Sequence, residues 1–394
     1  RMALGMMFDV TEEQKLILET VRRFLEEEIY PHEQLVDRLG EVPPELAARI
    51  KARSLELGLY TINMPESVGG PGLDPVTLVL VDREFGKASW SLIGHAGRHT
   101  RLLLACRNGQ IERYLTPTLR GERKDCFALT EPEAGSDIMA MRTRATRQAD
   151  GSYILNGEKH FISSASRPDF ALVFAVTGED KTPKGSRRRI TTFLVDAGTR
   201  GFSIERGPRA ASHRAYPNWR LTFTDCRIGA DQILGEEGQG FELANRWLEG
   251  GRLGVAANCC GRAERVLDMA LDWAATRRQF GQAIGRFQAI SFKLADMATQ
   301  LRAADALLFQ TALKLQRGLM TAGDAAAVKV FASEMLGFVT DHAVQIFGGM
   351  GLIEEMPIER FWRDSRIERI WDGTSEMQRH ILSRELQRLR EAKD

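Results

Sequence analysis

Cysteine is scarce in this 394-residue chain, which holds five, at positions 106, 126, 226, 259 and 260, without a CxxC spacing. An odd number without that spacing excludes a disulfide framework and a zinc ribbon, and it indicates a reducing, cytoplasmic compartment. Long apolar runs are also missing. None approaches the roughly 18 residues that a membrane span needs, and residues 1–7 lack the apolar core of a secretion signal.

An excess of one charge sign is absent as well. Lys and Arg number 54 against 53 Asp and Glu, whereas a general nucleic-acid binder normally shows a basic excess. His95 and His99 stand four apart, as metal ligands on one helical face do, but no carboxylate or third histidine accompanies them at ligand spacing. We therefore expect neither a nucleic-acid partner nor a metal site.

Three common signatures of nucleotide and hydrolase chemistry are missing. No GxGxxG follows a predicted strand and no GxxxxGK[ST] occurs, so a Rossmann or P-loop site lacks its simplest support. The Gly-rich segment 235–240 has the wrong spacing and is predicted to bend the chain between two zones. The serines at 163, 164 and 166 lack a GxSxG elbow, which makes a hydrolase a weak interpretation.

What is present divides the chain into three zones. A length of 394 residues, 43% of them hydrophobic and 27% charged, is typical of a globular protein with more than one core. The apolar spacing predicts a helical domain over residues 1–124, a β domain over 125–237 and a second helical domain over 238–394. A βαβ alternation is absent, so we expect an α+β, multi-domain protein with an antiparallel β-sandwich or barrel in its centre.

Local signals refine these zones. Thr11 followed by Gln14 is a capping box, and the first helix is predicted to run until Pro31. Asp150-Gly151 and Asn156-Gly157 are two-residue hairpin signals in the β zone. Four long helical segments are predicted in the last zone, near 241–275, 288–317, 322–347 and 374–390.

Several longer motifs carry the functional prediction. Residues 127–137 read Phe-Ala-Leu-Thr-Glu-Pro-Glu-Ala-Gly-Ser-Asp after the first predicted strand, and residues 370–376 read Ile-Trp-Asp-Gly-Thr-Ser-Glu near the end. Between them lie Arg-Arg-Gln-Phe-Gly at 277–281, Phe-Gln-Ala at 287–289, Gln-Ile-Phe-Gly-Gly-Met-Gly at 345–351 and Arg-Asp at 363–364. Together they resemble the acyl-CoA dehydrogenase family of flavoenzymes, and the resemblance covers essentially the whole chain.

The resemblance implies an oxidoreductase that contains FAD and a C-terminal four-helix bundle. It would remove the α-proton of an acyl-CoA thioester while the β-hydrogen leaves as hydride to flavin N5, giving a 2-enoyl-CoA. Electrons would pass to an electron-transfer flavoprotein. The resemblance also implies a homotetramer built as a dimer of dimers.

The resemblance assigns FAD binding to side chains whose chemistry suits a flavin. Thr130, Ser136 and Ser163 supply hydroxyls, Gly135 permits close backbone approach, and Arg277 suits a diphosphate. The full set is Phe127, Leu129, Thr130, Gly135, Ser136, Phe161, Ser163, Arg277, Gln279, Phe280, Phe287, Gln288, Gln345, Gly348, Gly349, Thr374 and Glu376. Arg277, Gln288 and the 345–349 turn are expected to come from a neighbouring subunit.

Asp372 takes the position of the catalytic base, where the commonest family pattern has Glu. Desolvation should raise its pKa above the free value of about 3.9. Because Asp is one methylene shorter, its carboxylate withdraws from the substrate, and misplacement of that size can cost on the order of a hundredfold in rate. Some family branches carry the base near position 251, but Gly251 cannot serve. The Asp372 backbone N–H and a flavin hydroxyl are expected to bind the thioester oxygen.

Substrate binding is assigned by the resemblance to Ser136, Glu249, Arg252, Gly373 and Arg384. Two departures from the family pattern accompany this set. His95 and Arg98 lie on the helix predicted to line the acyl pocket, where apolar residues are usual, so one of them is hypothesised to meet a polar or anionic acyl group. The alternative is that these side chains face solvent or a subunit interface. Phe161 replaces a Trp at the flavin edge, which puts the path of electron exit in question. The basic loop 181–189 is either a solvated connection or a contact for the CoA 3′-phosphate.

Other functions remain open at this point. Nitroalkane oxidases of the same superfamily use Asp as base, so an oxidase is the alternative enzyme. A DNA-associated relative and a non-catalytic scaffold are the alternatives outside enzymes.

Overall fold

The computed structural model describes residues 10–183 and 185–392. The prediction for residues 1–7 and the Lys184 position of the basic loop lie outside that range. Within it the chain runs as helices, then strands, then helices, in the predicted order.

The N-terminal helices are α1 Glu12–Phe24, α2 Glu33–Leu39, α3 Pro44–Glu56, α4 Pro75–Phe85, α5 Trp90–Ile93 and α6 Thr116–Leu119. Thr11 and Gln14 form the predicted capping box. The predicted stop at Pro31 is wrong, because a π-turn at Leu25–Ile29 and a 3₁₀ turn at Tyr30–His32 lead directly into α2. Pro31 occupies the start of the 3₁₀ turn, where the N–H that proline lacks is not needed.

The central strands are β1 Asp125–Ala128, β2 Arg144–Arg147, β3 Tyr153–Ser163, β4 Phe170–Thr182, β5 Gly185–Asp196, β6 Phe202–Arg206, β7 Asn218–Ile228 and β8 Ile233–Leu234. They form one sheet in the order β6-β7-β3-β2-β4-β5-β8, with β1 beside β4. The pairing is antiparallel except where β1 and β2 run parallel to β4. This sheet is a half-barrel whose inner residues form a core of their own.

One of the two predicted hairpins is confirmed and the other is wrong. Asp150-Gly151 joins β2 to its antiparallel neighbour β3. Asn156-Gly157 lies inside β3, at an irregularity in its pairing with β7. Gly157 has φ 147°, and a Cβ there would lie 2.5 Å from Thr143 Oγ1. Here glycine marks a strand bulge with close packing rather than a turn.

The C-terminal helices are α7 Gly240–Thr276, α8 Gln288–Gln316, α9 Ala322–Phe347, α10 Pro357–Ser365 and α11 Ser375–Glu391, and a short hairpin of β9 Arg278–Gln279 and β10 Gln282–Ala283 follows α7. Small side chains along α7, among them Ala256, Ala263 and Cys260, pack on α8 and α9 in one core. All five cysteines are buried and unpaired. None of the described helices is long and apolar enough to cross a membrane.

The two helical regions share their core at the crossing of α4 and α7. The Cβ of an alanine at Gly261 would overlap the Arg83 carbonyl oxygen, and one at Gly86 would overlap the backbone of Asn258. Beside this contact, the buried Arg83 guanidinium bonds both oxygens of Asp305 on α8, at 2.7 and 2.9 Å, and Glu264 on α7 at 2.7 Å. This crossing fixes the position of α7, which carries Gly251 and Arg252 of the candidate active site.

We expect Gly261→Ala to destabilise the protein, because the α4 and α7 backbones would have to separate. Overpacking of this kind costs about 1–3 kcal/mol or more. The matched control on the same helix is Gly250→Ala, where no described atom outside the local helix lies within 4 Å of the added methyl and helix propensity favours Ala by about 1 kcal/mol. Thermal unfolding measures both; a loss of stability in the control as large as that in Gly261→Ala would contradict the close-contact explanation.

Candidate active site

Asp372 lies in a left-handed turn that precedes α11. Its φ is 53° and that of Gly373 is 91°. Asp tolerates this region better than most residues, while Gly373 is required twice, by its φ and because a Cβ would lie 2.6 Å from Gln378 Nε2. The turn directs the partly buried Asp372 side chain toward α7.

Lys329 on α9 stabilises this turn through two hydrogen bonds. Its Nζ donates to the Trp371 carbonyl at 2.9 Å and to the Gly373 carbonyl at 2.7 Å, one on each side of Asp372. Gln378 Nε2 donates to the Gly373 carbonyl at 2.8 Å. Lys329 is fully buried, and burial lowers its pKa while the Asp372 charge opposes that shift. The geometry of the turn therefore depends on a buried ammonium group.

A network of buried charged side chains contacts the neighbouring Trp371. The indole N–H donates to Glu368 at 2.7 Å, and the other oxygen of Glu368 pairs with Arg262 at 2.7 Å. His213, from the loop that precedes β7, stacks on the Trp371 ring at 5.4 Å and donates its backbone N–H to Asp364 at 2.6 Å. The base-bearing turn thus contacts both the β region and the helical bundle.

The environment changes the acidity of Asp372. Burial raises its pKa to about 6; Lys329 and Arg252 oppose the shift, and Glu368 adds to it. This agrees with the direction that desolvation predicts. A carboxylate with a pKa near 6 is a stronger base than a free one and is still largely ionised at neutral pH.

Two glycines of α7 leave space in front of Asp372. A Cβ on Gly251 would lie 3.7 Å from Asp372 Oδ2, and one on Gly254 would lie 3.4 Å from Asp82 Oδ2. No other atom of the described residues outside the local helix lies within 4 Å of either Cβ position. Position 251 therefore adjoins the Asp372 carboxylate.

His95 and Arg98 are not on a helix, which corrects the sequence-based prediction. α5 ends at Ile93, and residues 94–100 form turns and extended chain in which Arg98 has φ 67°. The Arg98 guanidinium pairs with Asp82 at 2.6 Å, close to Gly254. His95 lines a separate cleft of about 450 Å³ with Lys51 and Lys124. Arg98 therefore pairs with Asp82, whereas His95 lines a different cleft, although the sequence-based hypothesis assigned both residues to the acyl pocket.

The remaining substrate candidates differ in exposure. Arg252 is buried, and burial lowers its pKa while Glu249 and Asp372 oppose the shift. Glu249 is half-buried one turn earlier on α7, and Arg384 is exposed on α11. The basic hairpin end places Arg187 5.0 Å from the Phe241 ring at the start of α7, and Arg188 donates to the Met141 carbonyl.

A buried ion pair anchors the loop that carries the first FAD candidates. Lys159 Nζ lies 2.8 Å from Glu131 and donates to the Leu129 carbonyl at 3.0 Å. Glu131 in turn accepts the backbone N–H groups of Arg142 and Thr143 at 2.6 and 3.0 Å. Burial lowers the pKa of Lys159 to about 8, with Glu131 opposing the shift. The pair fixes both ends of the 131–142 loop.

The residues around this loop have the chemistry and exposure that FAD binding requires. No described atom lies within 4 Å of a Cβ at Gly135, and the hydroxyl side chains of Ser136 and Ser163 are exposed. Phe161 has φ 54° and is 58% exposed at the end of β3. Thr130 accepts the His160 N–H through its carbonyl at 2.9 Å, which leaves its hydroxyl available. Phe127 departs from this picture, because its ring stacks on Trp247 at 4.0 Å.

The other FAD candidates, apart from the buried Leu129, are exposed or half-buried in one chain. Arg277 ends α7, Gln279 and Phe280 are in the β9–β10 hairpin, and Phe287 and Gln288 begin α8. Phe280 is 92% exposed. Gln345, Gly348 and Gly349 are exposed at the end of α9, Thr374 caps α11 through its hydroxyl, and Glu376 is exposed in the first turn of that helix.

Sequence reasoning missed several residues of the site. Lys329 interrupts the apolar run Ala-Ala-Val-Lys-Val-Phe-Ala of α9, and Lys159 occupies an inward position of β3. A lysine in either pattern signals a buried partner, and this signal could have revealed both. Asp82 and Gln378 carry no comparable local signal, since tertiary contacts alone give them their place.

Three family models match this chain: the acyl-CoA dehydrogenase N-terminal domain over residues 11–122, the middle domain over 126–226 and the C-terminal domain over 238–387. The chain belongs to the acyl-CoA dehydrogenase family. It is an oxidoreductase and a flavoprotein that uses FAD, with acyl-CoA dehydrogenase activity.

Individual relatives agree along the whole length. A protein of Clostridium sporogenes named 3-(aryl)acrylate reductase is 38% identical over 386 residues, covering 95% of this chain and 99% of its own. An acyl-CoA dehydrogenase of Bacillus subtilis is 36% identical over 382 residues, covering 96% and 98%. The structure of butyryl-CoA dehydrogenase from Megasphaera elsdenii superposes with a TM-score of 0.84 at 35% identity, covering 97% of this chain and 100% of that chain.

We expect Glu131→Gln to lose FAD on gel filtration, because Lys159 would keep a buried charge without its anion and the 131–142 loop would loosen. The control is Glu133→Gln in the same loop, whose side chain is 63% exposed and pairs with Arg142. The ratio of flavin to protein absorbance measures retention. Equal retention in both variants would show that the buried pair does not support the cofactor.

Proposed function

We propose that this dehydrogenase converts an acyl-CoA thioester to its 2-enoyl-CoA with Asp372 as the base for the α-proton. The observation that carries the proposal is the Asp372 carboxylate, which faces open space beside Gly251 and has its pKa raised to about 6. Bound FAD supplies the acceptor for the β-hydride.

The shorter side chain of Asp is compatible with this role because α7 has no side chain at position 251. Without one, a thioester can lie closer to the helix and to the withdrawn carboxylate. Lys329 and Gln378 fix the turn, so the carboxylate needs little reorganisation when it takes the proton. We propose that the Asp372 backbone N–H hydrogen-bonds the thioester oxygen as enolate charge develops.

The CoA part is proposed to pass along the start of α7. Arg252 and Glu249 lie on the same helix as Gly251, and Ser136 and Gly373 border the space from the β region and the base turn. Arg384 and the 181–189 hairpin end are candidates for the more distant phosphates, since guanidinium groups suit phosphate recognition.

A second subunit is proposed to complete the FAD site. The strongest support is Phe280, which is 92% exposed in a hairpin next to Arg277 and Gln279, because a second chain that covered this ring would remove its large apolar surface from water. We propose a homotetramer in which Arg277, Gln288 and the 345–349 turn of one chain serve the site of another. The exposed Phe161 is proposed to border the route to an electron-transfer flavoprotein.

An oxidase on the same scaffold is the second candidate, because an Asp base is the pattern of nitroalkane oxidases. Oxygen consumption during turnover without an added acceptor distinguishes the two. The near-zero net charge of +1 disfavours a DNA-associated role, which a salt-dependent DNA-binding assay would reveal.

Anaerobic mixing with a panel of acyl-CoA thioesters should bleach the flavin of the wild-type protein within seconds. Asp372→Asn keeps the side-chain size but cannot take a proton, and we expect it to lower the bleaching rate by about 10³-fold or more. Asp341→Asn, an exposed residue of α9, is the matched control. Bleaching at the wild-type rate in Asp372→Asn would remove this residue from its role.

The rate of flavin reduction should also depend on pH through Asp372. The base must be ionised, so the rate should fall as the pH drops through about 6, tenfold for each further unit. Lys329→Met removes a charge that lowers the pKa of Asp372, and the midpoint should therefore move to higher pH. In Lys314→Met, whose ammonium pairs with Asp324, the midpoint should stay; an equal shift there would contradict the assignment.

A further inference from the structure

We propose that the acyl group of the substrate carries a neutral oxygen atom that accepts hydrogen bonds from the Arg98 guanidinium. This oxygen would lie about one turn of α7 away from the base, Asp372. The inference rests on the proposed function and specifies its substrate class.

The first support is the open face of α7. Gly251 and Gly254 are three residues apart, so their Cβ positions lie on one face, about 5–6 Å from each other. Asp372 borders the first and Asp82 the second, and the described residues place no other atom within 4 Å of either position beyond the local helix. A side chain at either glycine would close this path. The space therefore runs from the base to the ion pair of Asp82 with Arg98.

The second support is the unused hydrogen-bonding capacity of Arg98. Its Nη2 pairs with Asp82 at 2.6 Å, and its side chain is 14% exposed. Nε and Nη1 are buried and donate to none of the described residues. The guanidinium carbon lies 5.8 Å from the Phe85 ring and 6.0 Å from the Trp90 ring. Buried donors without acceptors are costly, and a substrate oxygen would satisfy them.

The backbone at this position is held in an unusual conformation. Arg98 has φ 67° and follows Gly97 with φ 102°, and its N–H donates to the Tyr60 carbonyl at 3.3 Å. A left-handed arginine is uncommon, and such residues concentrate at functional sites. The conformation turns the side chain inward to Asp82 rather than outward to solvent.

The charge balance favours a neutral acceptor. Asp82 already neutralises Arg98, and its pKa is raised by burial, against which Arg98 acts. A substrate carboxylate at Arg98 would lie beside Asp82, whose charge that guanidinium already balances, while Lys329 and Arg252 act on Asp372 at the other end of the space. A ketone, amide or ether oxygen accepts the free N–H groups without that repulsion.

The spacing also limits the length of the acyl chain. A distance of about 5–6 Å between the two glycine positions corresponds to roughly four carbon–carbon bonds. With the α-carbon beside Asp372, the acceptor oxygen falls on about the fifth carbon. A plain long chain would have to bury its methylenes against the ion pair.

Three thioesters test this inference: hexanoyl-CoA, 5-oxohexanoyl-CoA and glutaryl-CoA, which place a hydrocarbon, a neutral oxygen or a carboxylate at the same point. In anaerobic flavin reduction, 5-oxohexanoyl-CoA should exceed hexanoyl-CoA in kred/Kd by about tenfold or more, and glutaryl-CoA should be the poorest. This comparison uses the unmodified holoenzyme.

The variant test removes both charges together. Asp82→Leu with Arg98→Met leaves no orphaned ion and should reverse the order, so that hexanoyl-CoA becomes the best of the three. Arg101→Met, an exposed neighbour, should keep the wild-type order. Flavin content and thermal unfolding show whether each variant is folded.

Each other outcome overturns the inference. Equal or faster reduction by hexanoyl-CoA in the wild type, or an unchanged order in a folded double variant, excludes recognition by Arg98. Fastest reduction by glutaryl-CoA excludes the neutral acceptor. These failures leave Asp372 and the proposed function intact, whereas absence of bleaching by every thioester would overturn the proposed function and this inference with it.

Discussion

A buried ammonium group, that of Lys329, holds the turn on which the candidate chemistry depends. It donates to the carbonyls before and after Asp372, at 2.9 and 2.7 Å, and so fixes a pair of left-handed residues that would otherwise have many conformations. The same charge moderates the effect of burial on the Asp372 pKa. One side chain therefore fixes the position of the proposed base and limits the rise in its pKa.

Helix α7 connects the parts of the enzyme around that turn. It begins next to the β region at Gly240, presents Gly251 and Gly254 to the proposed substrate space, contacts α4 through Gly261, and ends at Thr276, directly before Arg277. The glycines of α7 serve different purposes. Gly251 and Gly254 leave open space, whereas Gly261 allows the α4 backbone to approach closely. The ion pairs of Arg83 keep the helix in register with its neighbours.

Much of this architecture follows from sequence. The period of apolar residues predicts the helix–strand–helix order and the four long helices, because burial on one face imposes that period. The motifs at 127–137 and 370–376 identify the family. Local signals fail where tertiary packing decides. Asn156-Gly157 is a bulge against which Thr143 packs, and Pro31 lies inside a 3₁₀ turn that begins at Tyr30.

The site was predictable in its motifs but not in its supports. Asp372 stands out through its neighbours Gly373 and Thr374, and desolvation gives the right direction for its pKa. The separation of His95 from Arg98 could not be foreseen, because it depends on a left-handed turn after Ile93. Gln378 and Asp82 gain their roles only through contacts between residues distant in sequence.

The stacking of His213 on Trp371 has a consequence for assembly. The turn that carries Asp372 is held on one side by α9 of the bundle and on the other by a loop of the β region. Neither region alone can present the carboxylate correctly. The base is thus completed only where the bundle and the β region are docked, so catalytic competence in this fold depends on that docking and not on the formation of either core alone.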